Sequence, residues 1–162
     1  NHFFNNLLER RSDMIKERIR KDLTAAMKAK QELKVSTLRM MLAELVNKEK
    51  EKGDPVTEDA AVKVFFSMIK KREDAAAQFE AVGRKDTADK EREEIVIIKA
   101  YMPAQLSDDE IRAEARDVIA QTGVTDMKGL GKVMGILSKK LSGKASGGDM
   151  SRIVREELEK AH

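Results

Sequence analysis

At 162 residues, 41% hydrophobic, 38% charged and only 4% aromatic, with a formal net charge of +3, the chain can bury one core of ordinary size or two small ones. The absence of cysteine excludes disulfides, thiolate-ligated metals and thiol catalysis, and no apolar run approaches the roughly 20 residues that span a bilayer. The two histidines, His2 and His162, stand at opposite ends of the sequence, so no histidine metal site, Ser–His pair or small-molecule cofactor is expected.

Ala, Leu, Met, Glu and Lys dominate, and the prolines are only Pro55 and Pro103, so the composition predicts an all-α protein. Residues 1–13, NHFFNNLLERRSD, lack the apolar stretch and small-residue cleavage site of a secretory signal. Their polar–aromatic mixture reads as a vector-derived leader, the alternative being a native amphipathic extension with Phe3, Phe4, Leu7 and Leu8 on one side. From Asp13 as N-cap, Ile15, Ile19, Leu23 and Met27 recur every four residues and predict a first helix. A second carries Val35, Leu38, Met41, Leu42, Leu45 and Val46, runs into the solvated Lys48–Lys52 and stops at Gly53-Asp54-Pro55. Thr57 caps a third, with Val62, Phe65, Ile69, Ala76 and Phe79 inward, ending at Gly83. Asp86 opens a fourth, with Ala88, Ile95, Ile98 and Met102 on its core side, and Pro103 ends it.

Ser107-Asp108-Asp109-Glu110 is a capping box, in which the Ser hydroxyl accepts from the Glu110 amide and the Glu side chain reaches back to the Ser107 amide. The fifth helix shows Ile111, Ala115, Val118 and Ile119 and stops at Gly123. The sixth shows Leu130, Val133, Met134, Leu137 and Leu141 and stops at Gly143. The seventh follows GKASGGD with Met150, Ile153, Val154 and Leu158. The break at Tyr101–Leu106 divides an amino-terminal four-helix domain, residues 14–103, from a smaller three-helix domain, residues 104–162.

Charge is uneven along this array. Met127–Arg155 holds seven basic residues (Lys128, Lys132, Lys139, Lys140, Lys144, Arg152 and Arg155) against one acid, Asp149, a net +6 that leaves −3 for the rest. A basic end on an acidic body suits a polyanion such as an RNA backbone, and a solvated lysine surface is the plain alternative. Gly143-Lys144 is not a P-loop, since Ser138 and Ala145 stand where that motif needs a Gly and a Ser or Thr. Ser146 lacks both the G-x-S-x-G elbow and an internal His, so a hydrolase is not expected. Gly143–Gly148 either turns the chain between helices or lets phosphate approach the amides opening the seventh helix, Gly147 among them, with Lys144 alongside.

Arg72 falls on the apolar stripe of the third helix and needs a partner there. Glu73 is adjacent, and Glu91 and Glu94 lie on the next helix. A structural ion pair and a recognition arginine in a cleft are the two readings. Alternating signs in Asp89–Glu94 point to solvent-facing ion pairs rather than a metal site. Met27, Met41, Met134 and Met150 sit at core positions and are expected to fill gaps. Tyr101, the only tyrosine, anchors the break before Pro103 or stacks on a base.

KKREDAAAQFEAVGRKDTADKEREEIVIIKAYMPAQLSDDEI resembles the centre of the YqeY family: K-R-x-[DE], then Phe, Gly-Arg and Asp, then E-x-x-E-I, then Y-[LM]-P-x-Q-L-S. IRKDLTAAMKAKQELKVSTLRMMLAEL resembles that family's first hairpin and GKVMGILSKKLSGKASGGDMSRIVREEL its carboxy-terminal end, so the resemblance runs from about Met14 to Leu158. The family is similar to the carboxy-terminal helical region of GatB, a subunit of the glutamine-dependent tRNA amidotransferase. The resemblance implies a three-helix tail-like second domain and a non-catalytic, cytoplasmic tRNA-binding or amidotransferase-related module, because the transamidation cradle has no counterpart here. It maps the glycine-bearing helix, K-G-K-A turn and following helix of the GatB tail onto Gly135–Leu141, Ser142–Ala145 and Met150–Leu158. The expected phosphate contacts are Lys139, Lys140, Lys144, Arg152 and Arg155 with Lys128 and Lys132 at the rim, while Arg72, Glu73, Tyr101 and Pro103 are expected to be structural. The rival expectations are an adaptor docking on an amidotransferase or synthetase, and an accessory carbon–nitrogen ligase using glutamine as amido donor.

Overall fold

The structure is a computed structural model that describes the backbone of residues 2–160 and the side chains of residues 14–160. Among the described residues it contains helices and no strand: α1 (His2–Lys28), α2 (Glu32–Lys52), α3 (Glu58–Ala81), α4 (Lys85–Lys99), α5 (Asp108–Thr122), a 3-10 turn (Met127–Gly129), α6 (Leu130–Lys140) and α7 (Gly147–Lys160). The chain divides into two compact units, Asn1–Met102 with α1–α4 and Pro103–His162 with α5–α7.

The helix ends follow local chemistry. Thr57 accepts from the Ala60 amide at 3.2 Å, and Ser107 accepts from the Glu110 amide at 3.2 Å. Each satisfies a donor that the first turn leaves without an intrahelical partner. Only half of the expected capping box forms, because the Glu110 carboxylate accepts a hydrogen bond from the Ser107 hydroxyl at 3.1 Å instead of reaching the Ser107 amide. Asp13 is not an N-cap: α1 runs through it, since neither Gly nor Pro interrupts the sequence before Lys28. The expected side-chain face of Phe3, Phe4, Leu7 and Leu8 lies outside the described residues. Two residues past the end of α1, Lys30 has φ 55°, and the Gln31 and Lys30 amides return to the carbonyls of Ala26 and Met27 at 3.0 and 3.2 Å. This is the Schellman closure, here made by a residue that bears a Cβ.

In the first unit Ile19, Leu38, Met41, Leu45, Phe65 and Ile98 are fully enclosed. Each aliphatic side chain so enclosed contributes about 1.5–3 kcal/mol. Three polar ties fix the helices around this core. Lys16 Nζ of α1 meets Glu49 Oε1 of α2 at 2.7 Å, and Arg72 Nε of α3 meets Glu94 Oε2 of α4 at 2.9 Å. Tyr101, buried just after α4, donates its hydroxyl to Asp22 of α1, beneath the Arg18 guanidinium 4.7 Å from its ring centre. Burial and that bond to Asp22 raise the phenol pKa well above its ordinary value. Tyr101 is thereby an anchor within the first unit.

Glu73 departs from expectation. It is exposed and makes no ion pair among the described residues, whereas Glu94 holds Arg72. Adjacent residues on a helix do not face each other, so a partner one position on points elsewhere. Arg72 also donates to the Met68 carbonyl at 3.0 Å, and both charged side chains are about nine-tenths enclosed (11% and 10% exposed). Met27 is a second departure. It is half exposed, because the stripe of α1 turns out of the core before the helix ends. Met41 and Met150 are buried as expected, Met134 is half-buried, and Phe79 is half-buried under the Arg84 guanidinium.

Candidate nucleic-acid interface

The second unit is built on Ile111, Ala115 and Val118 of α5, Val133 and Leu137 of α6, and Met150, Ile153, Val154 and Leu158 of α7. Val133 and Leu137 are fully enclosed, and they fix which face of α6 looks outward. Truncating Leu137 to Ala would cost about 2–5 kcal/mol and loosen that face. Opposite them on α6, Lys132, Gly135 and Lys139 recur at spacings of three and four, the spacing of one helical stripe, and Lys128 precedes them in the 3-10 turn. All four are exposed, and the three lysines make no ion pair among the described residues.

Gly131 and Gly135 of α6 are both exposed, and a Cβ added at either would meet nothing within 4 Å. Gly129, just before the helix, is different: a Cβ there would lie 2.1 Å from Val124 Cγ1, so packing demands that glycine. Nothing inside the protein demands the other two. A glycine within a helix costs about 0.8–1.0 kcal/mol relative to alanine. The outcome is a smooth strip of backbone between lysines.

The α6–α7 connection is held from below. The Gln105 side-chain amide donates to the carbonyls of Gly143 at 2.8 Å and Pro103 at 2.7 Å, and the Leu106 amide donates to the Lys144 carbonyl at 2.9 Å. The loop thus presents the exposed Lys144 from a fixed backbone. Ser146 caps α7, accepting from the Asp149 amide at 3.1 Å. Of the amides opening α7, that cap has taken one, and the Asp149 carboxylate already occupies the first turn. Gly147 and Gly148 remain exposed with nothing within 4 Å of an added Cβ.

Two of the seven cations are already engaged. Lys140 Nζ lies 2.5 Å from Glu114 Oε2 of α5, and Arg152 meets Asp108 at 3.0 Å with Asp149 and Glu156 at 3.5 Å. The bonds to Glu114 and to Asp108 raise the pKa of Lys140 and of Arg152. Both stay cationic, each with a carboxylate of the same unit already beside it. Arg155 donates to Ser151 at 3.3 Å and makes no ion pair among the described residues. Lys128, Lys132, Lys139, Lys144 and Arg155 form the available set.

The α5–α7 seam is ionic. Arg112 meets Glu156 and Glu157 at 2.8 Å each, and Arg116 meets Glu157 at 2.9 Å. The Arg116 bond, followed by that of Arg112, pulls the Glu157 carboxyl down to about 2. The acids of this seam, Glu156 and Glu157, are thus committed to the arginines of α5. Sequence reading missed Gly131, the Ser146 cap and the Gln105 strap. The glycine was detectable as a helix-weakening residue inside an apolar periodicity, away from any helix end.

Among the described residues no cluster of three or more acidic or histidine side chains is placed to hold a metal, and no helix is long and apolar enough to cross a membrane. The chain is 29% identical over 117 residues to the Vanderwaltozyma polyspora protein named altered inheritance of mitochondria protein 41, mitochondrial, covering 68% of this chain and 63% of that one. A Saccharomyces cerevisiae protein of the same name is 39% identical over 82 residues, half of this chain and 44% of the relative. An uncharacterised Schizosaccharomyces pombe protein is 38% identical over 90 residues, 55% of this chain and 72% of the relative. The chain thus spans less than two thirds of the two mitochondrial relatives. The family model described as Yqey-like protein matches residues 16–158, nearly the whole sequence, and the chain belongs to that family.

Proposed function

We propose that the carboxy-terminal unit is a non-catalytic module that binds the phosphate backbone of tRNA or structured RNA through the outward face of α6, the Lys144 loop and Arg155. The observation that carries this reading is the pair of exposed glycines, Gly131 and Gly135, set among unpaired lysines with no packing reason to be glycine. Glycine removes the side chain that would keep a ligand off the helix, and lysines without internal partners can exchange their counterions for phosphate. The similarity of this end to the GatB tail supports tRNA as the polyanion, and a cytoplasmic, amidotransferase-related role belongs to the same reading. The mitochondrial names of two relatives belong to those proteins.

The test compares tRNA affinity of the full chain with that of Lys132→Ala/Lys139→Ala/Lys144→Ala and of Lys140→Ala. The triple variant is expected to bind at least tenfold more weakly, while Lys140→Ala, which removes only a partner of Glu114, stays within twofold. Equal loss in both, or in neither, would sink the assignment.

A further inference from the structure

Met40 of α2 is 39% exposed, whereas its neighbour Met41 is fully enclosed in the core. Across from it, Arg72 of α3 directs each of its three nitrogens to a different acceptor. Nε holds Glu94 of α4 at 2.9 Å, Nη1 holds the Met68 carbonyl at 3.0 Å, and Nη2 faces Met40 Sδ at 3.6 Å. A thioether is the weakest acceptor of the three. Glu94 and the Met68 carbonyl therefore fix the guanidinium, and the sulfur only borders it. An accessible, oxidisable atom is thus set against a cation that is about nine-tenths enclosed.

Peroxide would change that contact. The sulfur lone pair attacks one peroxide oxygen and the O–O bond breaks. The oxygen now on sulfur gives its proton to the departing hydroxide, which leaves as water. Sulfur is oxidised by two electrons and the peroxide is reduced. Such a change usually disrupts packing, because it puts a polar oxygen among apolar groups. Here the new oxygen meets a fixed donor. Lying to one side of the Sδ···Nη2 line, it reaches the charge-assisted hydrogen-bond range of about 2.7–2.9 Å while the sulfur stays in place. Met27 lacks this setting: its Sδ is 4.0 Å from Arg39 Nη2, but Arg39 is itself exposed, so an oxygen there competes with water.

We propose that Met40 is a site of reversible oxidation by hydrogen peroxide, whose sulfoxide oxygen takes the Arg72 Nη2 hydrogen bond and ties α2 more firmly to α3. This site is independent of the RNA reading, since it shares no residue with the α6–α7 face.

The test treats the full chain with hydrogen peroxide and follows each methionine by peptide mass spectrometry. Met40 is expected to oxidise at least tenfold faster than Met41. Thermal midpoints by circular dichroism are then compared with those of Met40→Leu, which carries the same other methionines. Oxidation should shift the parent upward relative to its effect on Met40→Leu, and reductases for both sulfoxide epimers should reverse the shift. Glutamine has the shape of a methionine sulfoxide and a helix propensity close to that of leucine. Met40→Gln should therefore melt above Met40→Leu with no oxidant present, while Met27→Gln and Met27→Leu should melt alike. Oxidation of Met40 as slow as that of Met41, a treated parent that loses as much stability as treated Met40→Leu, a sulfoxide that neither reductase removes, or a Met40→Gln no more stable than Met40→Leu would each overturn the proposal.

Discussion

Replacing Gly135 by Ala separates what the glycine does for the helix from what it does for a ligand. Gly135 lies in the interior of α6, its φ is not left-handed, and an added Cβ meets nothing within 4 Å. Helix propensity then predicts a gain of about 0.8–1.0 kcal/mol. Gly131 stands in the first turn, where the helix is less demanding, so Gly131→Ala/Gly135→Ala should gain about 1–2 kcal/mol in all. For a unit of this size, a gain of 1 kcal/mol raises the midpoint by roughly 4–8 °C if the unit melts in its own transition. Thermal unfolding followed by circular dichroism reads the stability, and fluorescence anisotropy with labelled tRNA reads the affinity. The reasoning expects the two to move in opposite directions, with a higher melting point and RNA binding several-fold weaker. A lower melting point would show that the backbone of α6 is not free to accept a side chain. A higher melting point with unchanged affinity would remove the glycines from the interface.

Three further outcomes follow from the same structure. Arg72→Ala leaves Glu94 enclosed and unpaired, and urea denaturation should show a loss of about 3–5 kcal/mol, toward the lower figure because both side chains keep slight solvent access; a variant as stable as the parent would refute a stabilising pair. The Glu157 carboxyl sits at about 2 against an ordinary 4.5, so its contribution is complete above pH 4.5 and is lost as pH falls through about 2; Glu157→Gln should flatten the stability profile across that window, and an unchanged profile would refute the assignment. Lys30 holds a left-handed φ of 55°, so Lys30→Gly should gain up to about 1 kcal/mol where a glycine inside a helix would lose as much, a difference measurable by urea denaturation; a destabilised variant would show that the Lys30 side chain earns its place.

How far the sequence could be read depended on the range of each interaction. The caps at Thr57 and Ser107 and the glycine ends at Gly53 and Gly123 were legible, because the hydrogen bonds that make them join residues at most four apart. Arg72 could be seen to need a carboxylate, but its choice of Glu94 over Glu73 rests on how α3 meets α4. The same limit applies to the basic end. Met127–Arg155 carries a net +6, yet its Lys140 and Arg152 are answered by Glu114 and Asp108 of α5, which lie outside that stretch. The exposure of Met27 and the 3-10 turn at Met127–Gly129 had no local signal strong enough to compete with the apolar periodicity around them. Ser146 stands where a cap would, before Gly147 and Asp149, but the glycines beside it signal a turn equally well in the sequence.

The most direct test of the central claim is the salt dependence of tRNA binding by the full chain. Five unpaired cations, each worth about 0.7–0.9 in the slope of log K against log salt, predict a slope of about −3.5 to −4.5 if all engage. Lys132→Ala/Lys139→Ala should lower its magnitude by about 1.4–1.8, whereas Lys140→Ala should leave it unchanged. Binding whose slope is near zero, or whose slope ignores the loss of Lys132 and Lys139, would contradict a phosphate-binding face on α6.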